Sequence, residues 1–459
     1  MKVLLTNPKT SSMFLSFGLI FPPLGLLYIG ATAESAGYDI TVQDFAISDQ
    51  TPLTFDFSGY GVVGITSDTR RFPGAVEIAK NAMRAGAKVV MGGAHPGFIA
   101  EEILLAGHAD YIIKGEGDET FPELLDAIRD GGDISKVKGI IYLQDGKAVK
   151  TEARPLITDL DSLPLPARHL VDIEAYKKAA VKYGGVRPIT IVSTSRGCPY
   201  ECTFCLTPQL SGRMWRARSA KSVMLEIEEL YYKYGYRAIG FCDDNFTIDS
   251  KRVIELSRMI TERGMDLWWW CLSSPNILLK NEDMVKEMAK AGAKTVYIGV
   301  ESASPDTLKE FNKSIKEDTA FQAIQLLRRN NMQVFGSYIL GGLSDDFGTI
   351  LKTIKLAKTL DTDVAQFSIL TPYPGTGLYN TLEPRLRHKK WDKFDGMHLV
   401  FKHKKVSYFT MQMLLLWAYT SYYTRGGKAI KNFLKVFIKN APILKGRQKR
   451  KVESVAKET

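Results

Sequence analysis

The sequence predicts an α/β protein with an N-terminal doubly wound, Rossmann-like domain, a partial (β/α)6 barrel of the TIM type and a helical, basic C-terminal region. Short β-branched runs alternate with helical segments from residue 1 to about 130, as they do in parallel sheets. A second series of the same kind begins at residue 189. Residues 401–459 contain 14 Lys or Arg against two Glu. We therefore expect domains at 1–131 and 189–380, a linker at 132–188 and a basic region at 381–459.

The composition is that of an ordinary globular protein. Its 459 residues, 45% of them hydrophobic, suffice for the cores of two or three domains. Only five Cys occur, and the N-terminus has no apolar segment with a cleavage site, so we expect a cytoplasmic, reducing setting. No apolar run reaches the roughly 18 to 20 residues of a spanning helix, because 13–33 is interrupted by Pro22 and Pro23 and 411–419 is short. We expect no transmembrane span.

The first domain has five predicted parallel strands, at residues 3–6, 40–43, 61–66, 88–91 and 111–113. Ligands of such sheets bind beyond the carboxyl ends of the strands, so the loops 66–69 and 92–96 are candidate site elements. Their glycines would let a large ligand approach the backbone. His95 lies in the second loop, where we expect a solvated histidine rather than a ligand.

The barrel has six predicted strands, at residues 189–195, 238–243, 266–272, 295–301, 334–340 and 364–370. Active groups of such barrels lie at the carboxyl ends of the strands. Trp269 is expected in the core against helices, while Trp268 and Trp270 could wall a substrate or cofactor cavity. Cys242 and Cys271 are expected to be inert, buried thiols within strands. The linker before the barrel contains a predicted hairpin turn at 145–146, and we expect no chemistry there.

Cys198, Cys202 and Cys205 directly follow the first barrel strand. A four-iron cubane needs four ligands, so three thiolates on one loop leave one iron open for a ligand that is not protein. Structural zinc needs four N or S ligands, and no further Cys or His lies within twenty residues on either side. The sequence therefore favours an iron-sulfur cluster over zinc.

The C-x3-C-x2-C spacing, with Phe204 before the last cysteine, resembles the radical S-adenosylmethionine (SAM) superfamily. The resemblance implies a [4Fe-4S] cluster on the three cysteines, with SAM bound to the open iron through its amino and carboxylate groups. It implies one-electron cleavage of SAM to methionine and a 5′-deoxyadenosyl radical. It also implies an electron donor such as flavodoxin or ferredoxin.

Three further segments resemble SAM-binding elements of that superfamily. Asp244, with Asp243 beside it, matches the acidic residue that orients the SAM amino group, although an acidic cap on the helix that follows would also explain it. Glu301 and Ser302 match the contact with the methionyl part, against the alternative of a buried structural carboxylate. Gly341 matches the adenine side, although a turn alone would explain a glycine there.

The first domain resembles cobalamin-binding domains at four positions, which are Ser67, Thr69, Gly92 and Gly93. The first element of that pattern, Asp-x-His, is incomplete, because Asp44 is followed by Phe45 and Ala46 and the histidine that would ligate cobalt from below is missing. The resemblance implies bound cobalamin and leaves the lower axial ligand open. The alternative is a flavodoxin-like domain without a cofactor.

The C-terminal region contains a predicted basic amphipathic helix, in which Lys428, Lys431, Lys435 and Lys439 recur beside an apolar face. Such a helix can lie in an anionic lipid surface, which would place the protein peripherally at the inner face of the membrane. Packing on the barrel with a solvated lysine face is the alternative. We expect no nucleic-acid partner, because no recognition module is present.

Residues 1–400 taken together resemble the cobalamin-dependent radical SAM enzymes, a group with hopanoid methylases and the anaerobic magnesium-protoporphyrin ester cyclase. The resemblance implies methylation of an unactivated sp3 carbon, and the basic tail favours a hydrophobic lipid or isoprenoid substrate. Radical ring formation on a lipid or tetrapyrrole, without methyl transfer, is the alternative. A cofactor-binding sensor or carrier without turnover is a third hypothesis, and it would leave SAM intact.

Overall fold

The computed structural model describes residues 1–9, 20–182, 187–313, 315 and 317–425. The predicted basic helix at 428–439 lies outside these residues. None of the helices within them is long and apolar enough to cross a membrane.

The first domain is a sheet flanked by helices. Its elements are β1 (Lys2–Asn7), α1 (Leu24–Ser35), β2 (Asp39–Asp44), β3 (Val62–Thr66), α2 (Phe72–Arg84), β4 (Lys88–Gly92), α3 (Ala100–Leu105), β5 (Tyr111–Ile113), α4 (Gly117–Asp130), β6 (Ile140–Gln144) and β7 (Lys147–Lys150). The sheet order is β2-β1-β3-β4-β5-β6-β7, and the first five strands are parallel. Val3, Val63 and Val89 are fully buried, as expected of parallel strands covered on both faces. The predicted doubly wound sheet is confirmed.

The hairpin β6-β7 was predicted as part of the linker, but it extends the first sheet. Its strands are antiparallel and join at Asp145 and Gly146, both with positive φ, as a tight two-residue turn requires. The rest of the connection carries α5 (Ile173–Lys182) and a buried Arg168, whose guanidinium donates to Glu226 of the barrel at 2.7 Å. The connection is therefore packed between the domains.

The second domain is the predicted partial barrel. Its elements are β8 (Ile189–Val192), β9 (Ser195–Arg196), α6 (Thr207–Ser211), β10 (Arg216–Ala217), α7 (Ala220–Glu228), β11 (Ala238–Phe241), α8 (Ser250–Glu262), β12 (Trp268–Ser273), α9 (Pro275–Lys280), α10 (Glu282–Lys290), β13 (Ala293–Glu301), α11 (Pro305–Glu310), α12 (Glu317–Arg329), β14 (Gln333–Leu340), α13 (Phe347–Leu360) and β15 (Val364–Ile369). Six parallel strands run in the order β15-β14-β13-β12-β11-β8. The first barrel strand is shorter than predicted, because residues 195–196 form β9 and pair with β10 instead.

Successive side chains of β12 point alternately to the outer core and to the barrel lumen. Trp269 is buried, and its ring packs edge-on against Phe241 and Phe246, which confirms its expected place against the outer core. Trp270 is half-buried on the opposite face and lies across Gly240, where a Cβ would collide with the indole. One wall of the barrel lumen is therefore aromatic.

Up to residue 425, where the described part of the chain ends, two α-helices follow the barrel, α14 (Gly377–Leu382) and α15 (Tyr408–Tyr423). The inner face of α15 packs on β15, where the Tyr419 hydroxyl donates to the carbonyl of Phe367 at 2.8 Å. Ser407 caps the helix by accepting a hydrogen bond from the backbone of Thr410.

Candidate active site

The three cysteines lie on one loop, residues 197–215, whose ends are joined by β9 and β10. All three are free thiols and half-buried. The backbone NH of Cys205 donates to the carbonyl of Cys202 (3.0 Å), which curls the end of the cysteine run. Thr203 fastens the loop to the far side of the barrel, because its NH donates to the carbonyl of Phe311 (3.2 Å). The loop is thus held above the carboxyl end of β8.

The chemistry of these thiols fits an iron-sulfur cluster. Burial raises the pKa of Cys202 to about 11 and also raises the pKa of Cys198, so the metal-free thiols ionise reluctantly and become thiolates when iron binds. Across the described ranges, no three His, Cys, Asp or Glu side chains converge as ligands of a single metal ion would. A cubane spreads its protein ligands over different irons, so three thiols on one loop suit a [4Fe-4S] cluster with one open iron.

Two neighbouring carboxylates after β11 have different surroundings. Asp243 is fully buried and accepts a hydrogen bond from the NH of Thr194 (2.6 Å), which fixes the start of the cysteine loop. Asp244 is exposed and accepts a hydrogen bond from the hydroxyl of Thr207, on the cysteine loop itself (2.8 Å). The helix that follows is capped by Asp249, so capping does not explain Asp244. Asp244 thus presents a carboxylate beside the cysteines.

Glu301 ends β13 in a left-handed backbone conformation (φ 68°) and is buried. Its carboxylate pairs with the ammonium of Lys313, so it has the partner that a buried carboxylate needs. A Cβ on Gly299 would lie 2.6 Å from Nζ of Lys313, so only glycine leaves room for the pair.

Lys313 was missed by the sequence analysis. Burial disfavours its charge, but Glu301 raises the pKa of Lys313 above its ordinary value, and Cys202 and Cys205 act in the same direction. The side chain therefore holds a permanent positive charge between Glu301 and the cysteine loop. A lysine twelve positions after a glutamate carries no local signal that the two will pair.

Ser302 and Gly341, the other two predicted SAM contacts, both form hydrogen bonds within their own loops. Ser302 is buried, and its hydroxyl accepts a hydrogen bond from the NH of Ser304 (3.0 Å). Gly341 has a φ of 84°, and its NH donates to the carboxylate of Asp345 (3.1 Å). A Cβ on Gly341 would lie 2.7 Å from the Cε atom of Met411 in α15. Both residues shape the loops at the carboxyl ends of their strands, and contact with SAM stays a prediction.

Three of the four predicted cobalamin contacts, Ser67, Gly92 and Gly93, meet at the carboxyl end of the first sheet, and Thr69 is buried two residues after Ser67. Gly93 has a φ of 100°, and a Cβ there would lie 2.8 Å from the carbonyl oxygen of Ser67, so the two loops touch and only glycine fits. The neighbouring cleft is lined by Leu5, Leu26, Ile29, Gly64, Ile65, Thr66, Val90, Gly92, Gly93, Ile113, Gly115, Gly117 and Phe121. The cleft itself has a volume of only about 60 Å³, so a large ligand would lie over it and contact the glycine backbone rather than enter it.

A cavity of about 410 Å³ lies between the two domains, lined by Asp44 of the first sheet and Ile191 of β8 among others. Asp44 accepts hydrogen bonds from the Tyr176 hydroxyl (2.5 Å) and the NH of Ala46 (2.7 Å), and burial raises the pKa of Asp44. Ala46 stands where the cobalamin pattern has histidine. This segment therefore supplies no imidazole to a ligand in the cavity.

Two expectations about single residues are wrong. His95 is not solvated; it is fully buried between the rings of Phe72 and Trp391, and neither ring nitrogen has a hydrogen-bond partner. Burial lowers the pKa of His95 to about 3, so the ring is neutral. Cys242 is not within a strand; it follows β11 and is exposed, whereas Cys271 is buried as expected.

An ionic clamp joins the first domain to the stem of the cysteine loop. Arg196 of β9 donates to both carboxylate oxygens of Asp118 (2.8 and 2.9 Å) and to Glu116 (3.0 Å). Arg216, its partner in β10, donates to the same Glu116 (2.9 Å). Asp118 and Arg216 are buried, so these pairs are shielded from water. The residues are 78 to 100 positions apart, and nothing in the sequence predicted the clamp.

Comparison with known proteins identifies the family. The radical SAM superfamily profile matches residues 192–357, and the B12 binding domain profile matches residues 11–125. An uncharacterised methyltransferase of Pyrococcus horikoshii is 35% identical over 443 residues, which cover 94% of each chain. The chain belongs to the cobalamin-dependent radical SAM methyltransferase family. It is a radical SAM enzyme whose cofactors are a [4Fe-4S] cluster, SAM and cobalamin.

Further relatives show the range of this family. The bacteriochlorophyllide d C-12(1)-methyltransferase of Chlorobaculum tepidum is 32% identical, covering 88% of this chain and 83% of the relative. The anaerobic magnesium-protoporphyrin IX monomethyl ester cyclase of Rubrivivax gelatinosus is 27% identical, covering 88% and 74%. The radical SAM methyltransferase TsrM from Kitasatospora setae, solved with cobalamin and a [4Fe-4S] cluster, has the same fold, with a TM-score of 0.68, 20% identity and coverage of 82% and 77%.

Proposed function

We propose that this enzyme methylates an unactivated sp3 carbon of a hydrophobic substrate, of the lipid or isoprenoid class. The observation that carries the proposal is the lumen of the barrel beside the cysteine loop. There Trp270 and Leu272 of β12 are half-buried, and the rings of Tyr297 and Phe335 stack with centroids 4.7 Å apart. A lumen walled by aromatic and aliphatic side chains favours an apolar substrate.

A polar pair lies within this apolar wall. The Tyr297 hydroxyl donates to the side-chain oxygen of Gln366 at 3.2 Å. Burial raises the pKa of Tyr297 to about 12, so it stays a neutral donor. We assign this pair to orienting one polar group of an otherwise apolar substrate.

The charged residues around the cysteines suit a zwitterionic ligand. We assign Cys198, Cys202 and Cys205 to the cluster, Asp244 to the amino group of SAM, and the Glu301–Lys313 pair to its methionyl end. Opposite charges placed on two sides of one pocket orient a ligand that carries both charges. When bound, the cofactors supply one-electron cleavage of SAM and the methyl group, and an electron donor such as flavodoxin or ferredoxin serves the cluster.

Ring formation on a lipid or tetrapyrrole is the second candidate, because a cyclase relative covers 88% of this chain. The two reactions differ in their mass balance. Methylation adds one carbon and two hydrogens to the substrate, whereas oxidative ring closure removes two hydrogens.

The deciding experiment is anaerobic turnover of reconstituted enzyme on a total lipid and pigment extract of the host, with methyl-deuterated SAM, cobalamin and a reductant. High-resolution mass spectrometry should find one compound that gains a labelled methyl group, while the Cys202→Ala protein produces neither this compound nor 5′-deoxyadenosine. Loss of two hydrogens without label would establish the cyclase. Intact SAM in every reaction would indicate a cofactor-binding sensor or carrier without turnover.

The predicted basic helix at 428–439 adds a proposal about location, since a lipid substrate resides in a membrane. We assign this helix to peripheral association with the inner face of the membrane. Deleting residues 426–459 should weaken co-sedimentation with anionic liposomes, and unchanged binding would contradict the assignment.

A further inference from the structure

The outer face of α15 is an unpartnered apolar surface. Four of its large side chains are exposed, namely Phe409 (73%), Met413 (48%), Leu416 (56%) and Trp417 (54%). Their spacing places them on one side of the helix. The opposite side packs into the protein, where Met411, Leu414 and Ala418 are buried. An apolar row this well exposed marks an interaction site.

Helix α13 continues this surface with a second row. Lys358, near the end of α13, lies beside Trp417 of α15, and Asp361, directly after α13, pairs with Arg425, after α15. The contacts advance toward the C-terminus along both helices, so α13 and α15 run in the same direction. Phe347, 53% exposed, begins α13 and adds a further apolar side chain.

The charge around the surface is positive. On α13, Lys355 and Lys358 lie one turn apart on the same stripe as Phe347, and Nζ of Lys358 is 5.4 Å from the centre of the Trp417 ring. Each of the two neighbouring carboxylates has a cation of its own, because Lys405 lies near Asp346 and Arg425 pairs with Asp361. No exposed carboxylate on these two helices therefore offsets the lysines.

We propose that this surface, made of Phe347, Lys355, Lys358, Phe409, Met413, Leu416 and Trp417, docks on an anionic lipid bilayer. Apolar side chains would enter the boundary between headgroups and acyl chains, and the lysines would extend to the phosphates. A Lys–Trp pair suits this boundary, because both side chains have an apolar body and a polar end.

The occupant is lipid rather than the C-terminal tail or a second copy. Residues 426–459 contain ten Lys or Arg, so the tail would bring positive charge to a lysine row. A second copy would bring the same lysines face to face. An anionic bilayer complements the positive charge of both the C-terminal tail and the two lysines on α13.

This docking would deliver a lipid to the site, and in that sense it deepens the proposed function. Met411 lies on the inner side of α15 and contacts Gly341 at the carboxyl end of β14. The lipid surface and the rim of the active site are therefore separated by the thickness of one helix, about 10 Å.

The test is co-sedimentation of the full chain with vesicles of phosphatidylcholine, with and without phosphatidylglycerol. Wild type should bind the anionic vesicles and be released by salt. The variant Lys355→Glu/Lys358→Glu should bind about thirty-fold or more weakly, at roughly a fivefold loss for each lysine removed. Phe409→Ser/Trp417→Ser should also lose binding, even to vesicles that retain the negative charge.

The matched control is Leu225→Ser/Tyr232→Ser, which removes side chains that are 62% and 67% exposed elsewhere on the barrel. It should bind like wild type. Unchanged binding by both surface variants would overturn the proposal, as would a shift of the Phe409→Ser/Trp417→Ser protein from dimer to monomer in light scattering without lipid. Formation of 5′-deoxyadenosine in lipid-free buffer checks that the variants are folded. Vesicle binding without any modified lipid would contradict the proposed function and leave the docking surface standing.

Discussion

The carboxyl ends of the two parallel sheets form sites of opposite character. On the first sheet the cleft is apolar and lined by five glycines, and Gly93 touches the carbonyl of Ser67. On the barrel the corresponding rim carries Asp244, Glu301 and Lys313 around the cysteine loop. The same strand arrangement thus offers glycine-lined backbone in one domain and charge in the other.

If the two sites are assigned to cofactors as proposed above, this difference matches the two organic cofactors. Cobalamin is a bulky ligand, so its binding depends mainly on room and on backbone that can be approached closely. SAM carries an ammonium, a carboxylate and a sulfonium group, so its binding depends on opposite charges held in fixed places. Adding a side chain at a glycine should therefore damage the first site, whereas removing a charge should damage the second.

The largest effect is expected on the barrel side from the ligands of the cluster. Cys198→Ala, Cys202→Ala and Cys205→Ala should each abolish 5′-deoxyadenosine formation, because a cubane with fewer protein ligands cannot be held with one open iron. Ultraviolet-visible titration should show that cobalamin binding is retained. Cys271→Ala is the control, since that thiol is buried in β12 away from the loop. Residual 5′-deoxyadenosine in a loop variant would remove that cysteine from the ligand set.

The next largest effect is expected on the first sheet from Gly93→Val. The added side chain would enter the contact with Ser67, and overpacking of this kind should weaken cobalamin binding by about 10- to 100-fold. The electron paramagnetic resonance spectrum of the reduced cluster should be unchanged. Gly86→Val is the matched control, because it also has a positive φ but has open space around it. Equal losses in both variants would mean that backbone strain, not the cleft, causes the effect.

Charge removal at Lys313 tests the other half of the comparison. Lys313→Met should raise the dissociation constant of SAM about thirty-fold, since truncating one partner of a buried charge pair costs about 2 kcal/mol or more. Lys313→Arg should restore much of the binding, and cobalamin affinity should not change in either variant. Lys309→Met is a control on the neighbouring exposed lysine. A normal SAM affinity in Lys313→Met would assign the pair to folding alone.

A smaller effect is expected from the ionic clamp, which holds the first domain against the stem of the cysteine loop. In Asp118→Asn the bidentate contact with Arg196 is weakened, and the two cofactors should be less well aligned. The ratio of 5′-deoxyadenosine to methylated product should then rise about 3- to 10-fold, because small misplacements mainly slow the transfer step. Glu119→Gln on the same helix is the control. A parallel fall of both products would indicate a loss of folded protein rather than of alignment.

The sequence was sufficient for the strands and for the cysteine loop because their signals are local. Alternating β-branched runs mark parallel strands one at a time, and the spacing of Cys198, Cys202 and Cys205 is contained in eight residues. Lys313, Arg196 and His95 were missed or misjudged for the opposite reason. Their partners lie in other elements, so only the packing of the domains shows which polar side chains are paired and which are buried.

The smallest effect concerns the pH dependence of the clamp. Burial alone would raise the pKa of Glu116, but hydrogen bonds from Arg216, the NH of Ile157 and Arg196 hold it below its ordinary value in the folded protein. A carboxylate with a depressed pKa stabilises the fold above its unfolded pKa, and this contribution is lost as the pH falls through the folded pKa. The melting temperature of wild type should therefore fall more steeply below about pH 4.5 than that of Glu116→Gln. If the melting temperatures of the two proteins fall in parallel as the pH is lowered, Glu116 does not hold the domains together through its charge. The alignment of the two sites must then rest on Asp118.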